Sequence, residues 1–140
     1  MSYANYKTSS IATADRGKLV IMIYDHCIKW IVKADEAMTA GNIEKTAKAV
    51  QKVQSGLTEL MCALDMEKGG DIAKNLFRLY NFYSGHLTNA IKDRSGQFLQ
   101  DVLAMLSVLR EAWIIAIENV RKEDHASLSG KPTAQLSLVS

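Results

Sequence analysis

KLVIMIYDHCIKWI, residues 18–31, holds ten apolar or aromatic residues in fourteen. An ordinary surface helix needs one apolar stripe about 100° wide. Here Leu19, Ile23, Cys27, Trp30 and Ala34 fill one stripe, and Val20, Tyr24, Ile31 and Met38 fill the next. Ile21, Ile28 and Val32 lie beyond both. So broad an apolar arc needs more than one covering surface, which makes this stretch a helix inside a larger helical assembly.

Upstream, residues 1–14 show no strong period and read as a flexible arm carrying Tyr3, Tyr6 and Ile11. Asp15 is placed to cap a first helix over about 16–38, because its carboxylate accepts from the free amides of a first turn. Downstream, Ala40-Gly41-Asn42 stops that helix, with Gly41 suited to a left-handed stop and Asn42 to the next cap. A second helix spans about 43–64. Its stripe is Ile43, Ala47, Val50, Gln54, Leu57, Met61 and Leu64, interrupted only by the glutamine. MEKGG, residues 66–70, reverses the chain.

A third helix over about 71–91 carries Ile72, Leu76, Leu79, Tyr83, Leu87 and Ala90. Phe77 and Tyr80 widen this stripe, and Phe82 points elsewhere. After KDRSG, with Ser95 as cap, a fourth helix spans about 97–122, roughly 39 Å at 1.5 Å per residue. It has two stripes: Phe98, Val102, Met105, Leu109, Ala112 and Ala116, and beside them Leu99, Leu103, Leu106, Trp113, Ile117 and Val120. Residues 123–140 lose the period and read as a disordered tail. The expected organisation is all-α: an antiparallel up-down four-helix bundle over 15–122, with an arm at 1–14 and a tail at 123–140.

The totals fit one domain. The chain has 140 residues, 48% hydrophobic, with one proline. Its 17 basic and 15 acidic residues leave a net charge of +2, too little for a nucleic-acid footprint. MSYANYKTSS has no apolar core of the signal-peptide type. The apolar runs LVIMIY and AWIIAI fall far short of the roughly 20 residues of a membrane span. A cytoplasmic protein without membrane insertion is expected, with Cys27 and Cys62 as buried reduced thiols.

Catalytic and metal motifs are sparse. A carboxylate-bridged di-iron bundle needs Glu three residues before His. Here Ile23, Tyr83 and Lys122 precede His26, His86 and His125 at that spacing. Gly69-Gly70 lacks the following Lys-Ser/Thr of a phosphate loop. Asp65, Glu67 and Asp71 cluster at one turn, where helix-end charge accounts for them. The chain reads as a non-enzyme with no metal and no cofactor. Its informative signal is surplus apolar surface, expected on the first and fourth helices.

Several stretches together resemble one family. NYKTSSIATADRGKLVIMIYDHCIKWI is similar to the start of the FliS-type flagellar export chaperones, in which a tyrosine arm leads into a Leu-x-x-Met-Leu-Tyr-Asp helix. LDMEKGGDIAKNLFRLYNF, residues 64–82, resembles their loop and third helix, and LREAW, residues 109–113, a piece of their last helix. Arg16 stands where that family usually has proline, and His26 where a small residue follows Tyr-Asp.

The resemblance implies a cytosolic chaperone for newly made flagellin. Its client would be the flagellin C-terminal segment, disordered in the free subunit. The chaperone would mask it, prevent premature polymerisation and hand it to the flagellar type III export apparatus. Export gate components or flagellar regulators are further partners, and the free protein is expected as a monomer or weak homodimer. Client-binding residues are then expected in three places: Tyr6 and Ile11 of the arm; Leu19, Met22, Ile23 and Tyr24 at the start of the first helix; and Ile72, Ala73, Asn75, Leu76 and Tyr80 after the Gly-Gly turn. Asn75 offers a hydrogen bond to a client backbone, while Trp113 is assigned to the core. Two rivals compete: a self-associating structural or regulatory bundle without a flagellin client, and a metal or redox bundle using Cys27, Cys62 and the histidines.

Overall fold

The computed structural model describes residues 13–126. Within them the chain forms α1 (Thr13–Thr39), α2 (Ile43–Ala63), α3 (Gly70–Asp93) and α4 (Gly96–Ala126). The turns are built by the residues the sequence singled out. Gly41 sits at φ 75°, the left-handed region. The Asn42 side chain accepts from the Lys45 N–H at 3.0 Å and caps α2. After α2, the Asp65 carboxylate accepts from the Glu67 and Lys68 N–H groups at 3.1 and 2.9 Å. Its role is to fold this turn. Gly70 supplies the second left-handed step, at φ 55°. At the last turn Arg94 takes φ 50°, and the Ser95 N–H reaches back to the Ala90 carbonyl at 2.9 Å. The Ser95 hydroxyl accepts from the Phe98 N–H at 3.3 Å.

Two boundaries differ from expectation. Helix α1 is already formed at Thr13, so Asp15 lies within it rather than at its cap. Helix α4 continues past Lys122 to Ala126, because RKEDHA holds no glycine or proline to stop it. The expected arm up to residue 12 and tail from residue 127 lie outside the described residues.

The helices run antiparallel. Asp25 of α1 meets Arg110 of α4, and Asp35 of α1 meets Gln100, so ten residues forward on one helix match ten back on the other. Each helix packs on two neighbours, in the order α1, α2, α3, α4 and back to α1. This ring answers the question posed by residues 18–31. Val20, Ile23, Tyr24, Cys27 and Ile31 are buried, with Ile21, Ile28 and Trp30 packed at the margins. Two neighbours use nearly the whole apolar arc of α1. The surplus expected there reduces to Met22 and Val32.

The α1/α2 seam is the tightest. Thr46, Ala49, Val53, Gly56 and Leu60 are buried along α2 beside the counted stripe, and Ile43 of that stripe is exposed. Small residues let the two helix backbones approach. At Gly56 an added Cβ would overlap the Cys27 sulfur, with His26 Cδ2 next at 3.4 Å. Cys27 itself is buried, and burial pushes its thiol up to about 12, with Glu59 adding to the rise. It stays a thiol, not the thiolate that metal or redox chemistry uses. Cys62, expected inside, is exposed, because Met61 rather than Cys62 holds the packed position.

Gly56→Ala is therefore expected to destabilise, since overpacking costs about 1–3 kcal/mol and outweighs a helix-propensity gain of about 1 kcal/mol. In a Cys27→Ala background the same change should turn stabilising, because the obstructing sulfur is gone. Denaturant midpoints for the four proteins read this out. A Gly56→Ala protein as stable as its parent would show that the helices are not in contact there.

A polar knot crosses the centre. The Tyr24 and Tyr80 hydroxyls lie 2.5 Å apart, and the Trp113 indole N–H donates to the Tyr24 oxygen at 3.1 Å. It joins α1, α3 and α4. Burial, more than any neighbour, raises both phenol pKa values, so both stay neutral and one hydroxyl donates to the other.

Candidate functional site

The four seams are closed unequally. Along α1/α4, Arg110 donates to Asp25 at 2.6 Å and Gln100 to Asp35 at 3.1 Å. Across α2/α3, the Gln54 amide donates to the Ser84 carbonyl and the Thr88 hydroxyl, both at 2.9 Å. This is why a glutamine interrupts the α2 stripe. The α3/α4 seam is the thinnest. Its polar tie lies near the connecting turn, where the His86 ring meets the Asp101 carboxylate at 3.0 Å. The Gln97 amide, and then His86, hold that carboxylate below its ordinary pKa. Phe98 packs on His86 at 4.2 Å between ring centres.

From that closed end the seam opens into a groove of about 650 Å³, lined by Leu79, Phe82 and Tyr83 on α3 and Met105, Val108 and Leu109 on α4. Phe82 is 62% exposed and Val108 68%. Helical spacing extends both walls. Ile72, Leu76, Leu79 and Phe82 follow at steps of three and four on α3, with Asn75 beside Leu76, as Met105, Val108, Ala112 and Ile115 do on α4. Two heptads from the His86–Asp101 pair lie Ile72 and Ile115, 61% and 52% exposed. The apolar row, Ile72 to Phe82 on α3 and Met105 to Ile115 on α4, is thus roughly 15 Å long at 1.5 Å per residue. Leaving each such side chain in water forgoes about 1.5–3 kcal/mol. Four large apolar side chains left exposed along one seam, Ile72, Phe82, Val108 and Ile115, mark a surface with a use.

The expected client-binding residues divide. Ile72, Asn75 and Leu76 stand together on the α3 wall, the first two exposed and the third half-buried. Leu19 is half-buried and Met22 exposed, both on α1 and away from this groove. Ile23, Tyr24, Ala73 and Tyr80 are interior and face no groove. Ile23 packs toward Gly56, the two tyrosines form the central knot, and Ala73 lets α3 sit close on the core. Tyr6 and Ile11 lie outside the described residues. The sequence reading missed Phe82, Val108 and Ile115. Their signal was present: Phe82 left the α3 stripe, and Val108 and Ile115, seven apart, lay on neither counted stripe of α4.

Among the described residues no three His, Cys, Asp or Glu side chains are grouped as metal ligands. Among them, too, no helix is long and apolar enough to cross a membrane.

Comparison with known proteins gives one answer. The family model of flagellar protein FliS matches residues 1–120. The flagellar secretion chaperone FliS of Vibrio cholerae is 33% identical over 105 residues, covering 75% of this chain and 77% of that protein. The Bacillus subtilis protein of that name is 29% identical over 126 residues, covering 89% and 92%. The Salmonella typhimurium one is 31% identical, covering 75% and 78%. A crystal structure of a flagellar chaperone from bacteria superposes with a TM-score of 0.71 at 23% identity, covering 84% of this chain and 96% of that one, which shows a shared fold.

Proposed function

As this chain belongs to the FliS family, we propose that it works in the cytoplasm on flagellin, binding the flagellin C-terminal segment in the α3/α4 groove. Membership makes it a flagellar export chaperone and not an enzyme. The choice of client and site is supported by one observation above all: the exposed apolar row from Phe82 and Val108 to Ile72 and Ile115. An amphipathic segment that folds on binding lays its apolar face in such a groove. Ordering it costs about 2–5 kcal/mol, so the contact must be large, on the order of 1,000–3,000 Å². A row of roughly 15 Å holds about ten helical residues of client. The rest of the client then extends over further surface, where Met22 and Leu19 are available. Asn75, exposed on the α3 wall, is placed to hydrogen-bond client backbone.

Masking that segment stops flagellin from polymerising early and keeps it unfolded for the type III export apparatus. Antiparallel order puts the start of α1 at the same end of the bundle as Ile72 and Ile115. The proposal extends to Tyr6 and Ile11, outside the described residues, as side chains that would compete with the client for that end of the groove.

Calorimetric titration of a purified flagellin C-terminal fragment into the full chain tests this reading. One-to-one binding with a negative heat-capacity change, the mark of apolar burial, is expected. A tight dimer by light scattering, unmoved by the fragment, would instead make the exposed row a symmetric seam between copies.

A further inference from the structure

We propose that a second groove, between α1 and α2 beside their connecting turn, docks an acidic segment of another protein anchored by an apolar side chain. This groove holds about 670 Å³. Its apolar floor is Trp30, Ala37, Ala40 and Ala49. Lysines 33, 45, 48 and 52 stand along it. Lys29, Lys33 and Lys52 hold their ammonium groups 5.6, 4.6 and 5.9 Å from the Trp30 ring centre.

Charge selects the occupant. The groove lining sets one carboxylate, Glu36, against four lysines, and Lys48 pairs with Glu44 at 3.5 Å. The local excess of three positive charges exceeds the +2 of the whole chain, so the remaining surface is slightly negative. Crowding like charges on one face works against folding. Cation–π contact with a single indole offsets only part of that. A partner bringing carboxylates removes the repulsion, and a leucine or phenylalanine between them fills the alanine-floored trough.

The shape disfavours the other polyanions. Single-stranded nucleic acid is held by successive aromatic platforms, and this groove has one ring. A membrane surface is met by protruding apolar residues, and here the apolar atoms are recessed between lysines. In the ring of helices this seam lies opposite α3/α4. None of the residues that line this groove is among those assigned to the client, so a chain carrying its client can still meet a docking partner here. The inference does not depend on what the client is.

The test follows the Trp30 indole N–H signal by NMR in the full chain, assigned by its loss in Trp30→Phe. The probe is a short synthetic amphipathic helix of Leu and Glu, compared with its Leu/Lys counterpart, an oligothymidylate and phosphatidylglycerol vesicles. The Leu/Glu peptide is expected to shift Trp30 and leave the Trp113 signal in place. Lys45→Glu with Lys52→Glu should weaken that binding by about tenfold or more without lowering the melting temperature, and added salt should weaken it as well. Four results would overturn the proposal: no shift of Trp30, an equal response to the Leu/Lys peptide, unchanged affinity in the double variant, or a stronger response to the oligonucleotide or the vesicles.

Discussion

Replacing Phe82 and Val108 together by aspartate is expected to weaken binding of a flagellin C-terminal fragment by at least about a hundredfold while leaving the bundle intact. Each side chain is worth about 1.5–3 kcal/mol when buried by a client, and the aspartates would face apolar client surface. A loss of about 3 kcal/mol or more is two decades of affinity. Both residues are largely exposed, and Phe82 gives up only its ring contacts with Tyr83 and His86, so stability should fall by no more than about 0.5–1.5 kcal/mol at Phe82 and less at Val108. Calorimetry measures the affinity and thermal unfolding the stability. Affinity within threefold of the parent would remove the α3/α4 groove from the client site.

Ile23→Asp should do the reverse. The side chain is buried against α2, next to Gly56. An unpaired carboxylate there costs about 3–5 kcal/mol, on top of the lost packing. A domain of this size has about 5–15 kcal/mol in all. Far-UV circular dichroism is expected to show a chain largely unfolded, or unfolding far below its parent. A variant with its parent's melting temperature that fails only in client binding would return Ile23 to the groove, where the sequence alone had put it.

That pair of residues shows what the sequence discloses. Helix number, order and turn chemistry follow from local rules. Gly41, Asn42 and Ser95 act within a few residues of themselves, and the structure places each as its chemistry requires. The family, too, was legible, because LDMEKGG with the segment after it is a specific string. The division of apolar residues between core and surface was not. Tyr80 and Phe82 are two aromatic residues on one helix, about 200° apart. Which of them is buried depends on the positions of α2 and α4, and no period within α3 contains that.

The same holds for Gly56, whose lack of a side chain has meaning only beside Cys27. It also holds for the lysines of the α1/α2 groove. Each of them looks like ordinary solvated charge until two helices bring them around one tryptophan.

The placement of the His86–Asp101 tie between α3 and α4 has a mechanical consequence. His86, Asp101 and the short turn at Arg94 bind the two helices at one end, like the spine of a book. Ile72 and Ile115, at the fore-edge, have nothing comparable between them. Toward the fore-edge the walls are apolar and carry fewer directional bonds, so fit to a partner there is expected to be set by side-chain shape more than by fixed polar contacts.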